Sequence, residues 1–199
     1  MPALIIVVQQ TAGLRHGKKL MIGGLIFSWV GDTLLLFENK HPLFFIMGLA
    51  SFLLTHVCYI IYFLSHRGLN SSLLKQQPFI ILLVIAYGAG LFFLLLPHLG
   101  ELKFPVLLYA VVICSMLLSA IHIYTNVKEP ANKLYVAGAL LFVISDSLLA
   151  FNKFYYPLYL AGLLIMLTYC MAQYFIVSGF VSEREPVVSN ANLTHAPSS

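Results

Sequence analysis

The sequence predicts an all-α fold, a polytopic bundle of transmembrane helices, and three observations carry that prediction. Of the 199 residues 60% are hydrophobic and only 9% charged, where a soluble domain carries roughly 25% charged residues. The mean hydropathy is +0.92. Apolar runs close to the roughly 20 residues that cross a hydrocarbon core recur along the chain. Lipid offers no partner to a free backbone N–H or C=O, so such runs must be helical.

Six runs are expected to span, at about 19–37, 44–65, 79–96, 106–125, 133–151 and 156–181. Pro42, Pro78, Pro97, Pro105, Pro130 and Pro157 sit at their edges, where a first helical turn tolerates proline. Residues 1–12 form an apolar run of half a span with no basic segment before it, a poor signal peptide. The polar tail, 182–199, is read as cytoplasmic, so its Asn192-Leu193-Thr194 is a glycosylation sequon in form only. Residues 1–181 are thus expected to form a single bundle.

Loop charges set the orientation. Arg15, Lys18, Lys19, Arg67, Lys75, Lys128, Lys133 and Arg184 fall on one side, and Lys40, Lys103 and Lys153 on the other. Eight against three is a positive-inside bias that places the C-terminus in the cytoplasm. A bacterial inner membrane is the expected location. The net charge of +4 is spread over these short gaps and is no nucleic-acid signal. Cys58, Cys114 and Cys170 lie within apolar runs and form no CxxC or Cys/His ligand spacing. No metal and no cofactor is expected.

An internal repeat organises the chain. Gly31-Asp32-Thr33-Leu34-Leu35-Leu36-Phe37 overlays Ser145-Asp146-Ser147-Leu148-Leu149-Ala150-Phe151 without a gap, an offset of 146 − 32 = 114. The same shift carries Gly48-Leu49 onto Gly162-Leu163. Both copies cross in the same direction, a parallel repeat. Shifted back by 114, the run at 106–125 falls on −8 to 11. The expected architecture is therefore two parallel four-helix repeats, with the first helix and part of the second absent from this chain.

The repeat contains the only two aspartates of the sequence. A charged Asp at mid-span costs about 2.5–3.5 kcal/mol on the most lenient scale, so Asp32 and Asp146 should face the bundle interior. With no Lys or Arg in any span beyond the terminal Lys19 and Lys133 to neutralise them, two nearby carboxylates should share one proton, an arrangement suited to acid/base chemistry. The plainer alternative is a hydrogen-bonded pair that ties helices together. Ser28 lies one turn before Asp32, and Ser145 and Ser147 flank Asp146; a serine inside a span also bonds back to its own helix. His56 and Tyr59 share a face, as do Tyr169 and Gln173 at i, i+4. Such polar groups suit water or substrate positioning, or a packed, satisfied core. Tyr109 and His122 are weaker candidates.

The segments Phe27-Ser28…Gly31-Asp32-x-Leu34-Leu35, Gly48-Leu49…Phe52…His56-x-x-Tyr59, Gly138-Ala139-Leu140-Leu141-Phe142…Ser145-Asp146 and Tyr169…Ala172-Gln173 resemble the YhhN family of multi-pass membrane proteins over nearly the whole chain. Met1-Pro2-Ala3-Leu4 resembles the family's stretch just after a Lys-Pro pair that is missing here. The family's characterised animal members are lysoplasmalogenases. The resemblance implies an ether hydrolase that cleaves the vinyl ether of a membrane lipid, lysoplasmalogen, to a fatty aldehyde and a glycerophospho-base. Asp32 and Asp146 would be the catalytic pair, with Ser28, His56, Tyr59, Ser145, Tyr169 and Gln173 positioning substrate or water. A proton-coupled carrier of small molecules and a non-catalytic lipid-binding protein are the alternative classes that intramembrane aspartates also fit.

Overall fold

A computed structural model describes residues 1–11, 15–66 and 72–184, the side chains of Arg15 and His16 excepted. Arg67 and the tail with its sequon lie outside the described residues. All regular structure among the described residues is helical: α1 Pro2–Gln10, α2 Arg15–Leu35, α3 Pro42–Leu64, the short α4 Leu73–Gln76, α5 Phe79–Leu95, α6 Lys103–His122, α7 Ala131–Phe154 and α8 Ala161–Ser182. Two 3₁₀ turns, Leu96–His98 and Gly100–Leu102, link α5 to α6.

Among the described residues five stretches are long and apolar enough to cross a membrane: Pro42–Leu64, Phe79–His98, Gly100–His122, Ala131–Phe154 and Ala161–Ser182. The chain is an integral membrane protein. Helix α2 has a comparable length, 21 residues, but Lys18, Lys19 and Asp32 dilute its apolar content.

Local chemistry sets several helix ends. Pro42 opens α3, and His41 caps it by accepting the Leu43 N–H on Nδ1 at 3.1 Å. Ser72 caps α4 by accepting the Leu74 N–H. Pro97 ends the regular helix of α5 in a 3₁₀ turn.

Helices α2 and α3 pack closely along their length, as do α7 and α8. Glycines 114 residues apart (138 − 24 = 114) sit in these two contacts. A Cβ on Gly24 would stand 2.6 Å from the Tyr59 ring; one on Gly138 would stand 2.7 Å from the Ile176 side chain and 2.9 Å from the Ala172 carbonyl. Without a hydrophobic drive in lipid, helices associate by packing, and small residues permit that approach. Polar stitches add to it: Ser51 donates to the Phe27 carbonyl at 2.6 Å and Thr55 to that of Gly24 at 3.1 Å.

Helix α6 packs on α3 and α7, and α5 lies outside α6 with a smaller contact to α7. Only Val84 and Leu95 of α5 are buried. The core is aromatic: Tyr59, Tyr62, Phe63, Tyr135, Phe142 and Phe180 are fully buried. The polar residues singled out from the sequence project into this core.

Candidate active site

Five of those side chains form one hydrogen-bonded chain across α2, α3 and α8. The Tyr59 hydroxyl donates to Gln173 Oε1 at 2.5 Å, and Gln173 Nε2 donates to Ser28 Oγ at 2.6 Å. Ser28 Oγ and the Tyr169 hydroxyl are 2.7 Å apart, and Tyr169 donates to Asp32 Oδ2 at 2.9 Å. Tyr169 has one proton and gives it to the carboxylate, so Ser28 must be the donor in its bond to Tyr169. Every donor then points along the chain toward Asp32. Tyr59, Ser28 and Gln173 are wholly buried, and Tyr169 nearly so. Buried polar groups must be paired, and the Gln173 amide, like the Ser28 and Tyr169 hydroxyls, both accepts and donates within the chain.

The second aspartate has different company. Asp146 Oδ2 accepts the Tyr109 hydroxyl at 2.5 Å and lies 3.5 Å from His56 Nε2. His56 is fully buried, and its Nδ1 lies 2.6 Å from the Phe52 carbonyl oxygen. A carbonyl only accepts, so Nδ1 carries a hydrogen and the neutral ring has its lone pair on Nε2. Among the described residues that nitrogen has no other partner. Two lone pairs facing each other would repel, so the contact calls for one proton between His56 Nε2 and Asp146 Oδ2.

The two clusters meet at Phe142. Its ring lies 4.7 Å from His56 and 5.6 Å from Tyr169, centroid to centroid, in edge contacts. Among the described residues no hydrogen bond joins the two carboxyl groups; each has its own tyrosine. Ser145 does not face either aspartate but donates to the Ile165 carbonyl at 3.1 Å, tying α7 to α8. Among the described residues no group of three His, Cys, Asp or Glu could hold a metal ion.

Asp146 borders two apolar cavities. One, between α5, α6 and α7, is lined by Tyr87, Gly88, Tyr109, Cys114, Asp146 and Ser147, among others. The other reaches α3 and is lined by Phe45, Leu49, Tyr109 and Asp146, among others. In the first, Tyr87 donates to Ser147 Oγ at 2.8 Å. Tyr87 carried no signal in the sequence, and Tyr109 only a weak one. A tyrosine in an apolar helix is equally at home at a membrane interface, and both partners lie on other helices.

The YhhN family profile matches residues 1–180. The chain is 31% identical over 168 residues to lysoplasmalogenase TMEM86A of Bos taurus, covering 82% of this chain and 66% of the relative. It is 33% identical over 169 residues to human lysoplasmalogenase TMEM86A, with the same coverage. Against the lysoplasmalogenase of Mycobacterium tuberculosis the identity is 28% over 175 residues, 84% of this chain and 62% of the relative. The match thus spans just under two thirds of the length of these relatives. No solved structure matches. The Asp32 and Asp146 motifs, the helical bundle around them and a profile match over residues 1–180 lead to one assignment: the chain belongs to the YhhN family.

Proposed function

We propose that this chain hydrolyses the vinyl ether bond of lysoplasmalogen, with Asp146 and Asp32 dividing the acid/base work. The observation that carries the proposal is the unlike company of the two intramembrane carboxyl groups, one beside a histidine lone pair and one at the end of a run of donors. The names of the similar relatives supply the substrate class.

A vinyl ether is cleaved by protonating its outer alkene carbon. The C=C π pair takes the proton, and the adjacent carbon becomes an oxocarbenium ion. Water adds to that carbon and loses a proton, and the hemiacetal collapses to a fatty aldehyde and the free glycerol hydroxyl. The step needs a proton source and a negative charge to stabilise the cation or accept the water proton, a division glycosidases also make between two carboxyl groups. The His56–Asp146 pair, with its single proton, is the acid. Asp32, which accepts the Tyr169 hydroxyl at the end of the Tyr59–Gln173–Ser28–Tyr169 run, takes the carboxylate role, and the bond donated by Tyr169 favours its charged form. Tyr109 orients Asp146 on the cavity wall.

The basic-residue bias supports an orientation with the C-terminus in the cytoplasm, and the close packing of α2 on α3 supports α2 as a further span. The test is turnover by the purified chain in detergent: a 1-alkenyl-2-hydroxy glycerophospholipid should yield fatty aldehyde and glycerophospho-base in equal amounts. Absence of aldehyde from a folded, monodisperse preparation rejects the proposal. Proton-coupled flux into proteoliposomes would then favour a carrier.

A further inference from the structure

Outside the bundle, α5 and α6 enclose a groove of about 630 Å³, within the roughly 300–1,000 Å³ of small-molecule sites. Gly88, Phe92, Ala110 and Cys114 line this groove and also the cavity that ends at Asp146. The two therefore lie back to back against the same four residues, the groove open at the exposed face of α5 and α6 and the cavity ending at a carboxyl group.

Polarity changes from groove to cavity. Among the described residues the groove wall offers no free polar side chain: Ser115 donates to the Val111 carbonyl of its own helix at 2.7 Å, and the Cys114 thiol faces the Val84 carbonyl at 3.9 Å. The first hydroxyls and carboxyl met on the way in are those of Tyr87, Ser147, Tyr109 and Asp146. An occupant thus lies with hydrocarbon outward and its polar end inward. Between them α5 and α6 touch: a Cβ on Gly88 would stand 2.7 Å from Cys114 Sγ. An occupant reaches Asp146 only by displacing the Phe92 or Cys114 side chain, and one unbranched chain needs a smaller displacement than two chains side by side. Helix α5 is lightly held, with two buried residues and one side-chain hydrogen bond, Tyr87 to Ser147, reaching α7.

We propose that the α5–α6 groove binds the single alkyl chain of an ether lysolipid and sets the bond next to its first carbons beside Asp146. The inference rests on the vinyl ether reading for the reacting bond, but the chain site itself is tested separately. The probe is a saturated 1-O-alkyl lysophosphatidylethanolamine with a photoreactive diazirine in mid-chain, which has no vinyl ether to cleave, added to the full chain in nanodiscs. Crosslinks should map to residues 85–93 and 107–118, and an excess of unlabelled single-chain ether lipid should reduce them at least about tenfold, which corresponds to burying only a few CH₂ groups. The same amount of diacyl phosphatidylethanolamine should not. Equal competition by both lipids, or labelling spread evenly to the outer face of α8 around Leu163 and Leu167, means that the groove is filled by ordinary bilayer chains and overturns the proposal.

A second measurement uses Ala89→Phe and Ser115→Phe, which fill the groove without touching Asp146. For long-chain alkenyl substrate kcat/KM should fall at least about tenfold, while a short-chain analogue stays within about twofold. Leu167→Phe, on an exposed position of α8, should change neither. An equal fall on both chain lengths at unchanged thermal stability also overturns the proposal. If the wild-type chain releases no aldehyde yet shows localised, competed labelling, the hydrolysis reading fails and the chain site stands.

Discussion

Tyr59 and Gln173 are 114 residues apart and meet side chain to side chain at 2.5 Å. Their separation equals that of Asp32 and Asp146. A residue and its repeat counterpart can touch only near the axis that relates two halves, so this bond marks where the pair α2–α3 faces the pair α7–α8. The halves are not chemically equivalent around it. Ser28 corresponds to Phe142, and Thr55 to Tyr169. The relay therefore runs to Asp32 alone, and Asp146 is served by His56 and Tyr109 instead.

That asymmetry makes the relay testable by position. Tyr169→Phe removes the only side-chain donor to Asp32 among the described residues and should lower kcat for lysoplasmalogen by about 10²-fold, the scale of losing one aligned donor. Tyr59→Phe acts three links away and should cost less than about tenfold. Gln173→Leu orphans the buried Tyr59 hydroxyl and should also destabilise the bundle by about 1–3 kcal/mol. Steady-state kinetics and thermal unfolding in one detergent would read both effects. If Tyr59→Phe is as damaging to kcat as Tyr169→Phe at equal stability, the directional relay is wrong.

The aspartates make the sharper test. Asp32→Asn and Asp146→Asn should each lower kcat by at least about 10²-fold, and neither adds a charge to the membrane interior. His56→Phe keeps a ring against Phe142 and Tyr109 but removes both nitrogens. It should lower kcat about tenfold or more with KM nearly unchanged. Because His56 would act through Asp146, the double variant should be no worse than Asp146→Asn alone. Additive losses would show that His56 and Asp146 act separately.

Much of this was legible because polar residues are costly in lipid. Two aspartates in 199 residues, at one offset, identify the motifs of interest, and the i, i+3 and i, i+4 spacings of His56 with Tyr59 and of Tyr169 with Gln173 put each pair on one helical face. Which partners those faces meet was not legible. A shared proton between the two aspartates was the natural expectation from composition. In the fold each carboxyl group binds a tyrosine from another helix, Tyr169 across 137 residues and Tyr109 across 37. Such contacts depend on helix rotation and crossing, which hydropathy does not encode. Ser145 illustrates the same limit: its adjacency to Asp146 suggested the site, whereas its hydroxyl bonds a carbonyl of α8.

The paired glycines should differ in tolerance. At Gly138 a new Cβ meets backbone, the Ala172 carbonyl oxygen at 2.9 Å and the Ile176 nitrogen at 3.1 Å. Helix α8 would have to move. At Gly24 the obstacle is the Tyr59 ring, which can tilt if its bond to Gln173 yields. Gly138→Ala should therefore lose about 1–3 kcal/mol, the usual cost of overpacking, and Gly24→Ala less stability but more activity. Melting temperatures that rank the two the other way would contradict this account of the packing.

At the far end of the bundle a charged pair lies outside the spans. His66 Nε2 donates to Glu183 Oε1 at 2.8 Å, and the Tyr62 and Tyr135 hydroxyls donate to Glu183 Oε2 at 3.0 and 2.7 Å. Burial disfavours both charges. The bond and attraction to Glu183, helped by the Tyr62 and Phe63 carbonyls, outweigh it and raise His66 above its ordinary 6.5. Burial is likewise outweighed at Glu183, where His66 and the two phenols hold the carboxyl below its ordinary 4.5. The raised histidine contributes stability that is complete below pH 6.5 and is lost as pH rises through its folded value. The depressed glutamate contributes stability that is present above pH 4.5 and is lost as pH falls through its folded value. The contribution of the pair is therefore greatest from pH 4.5 to 6.5. Both side chains are about one fifth exposed, 18% and 23%, so the effect is modest, about 1 kcal/mol or a few degrees of melting temperature. His66→Gln offers Glu183 a neutral donor at every pH and should flatten the decline on the alkaline side. Glu183→Gln should flatten the acid side. Melting temperature followed from pH 4 to 9 in detergent reads both limbs, and an alkaline slope that is the same in wild type and His66→Gln would remove the pair from any account of stability.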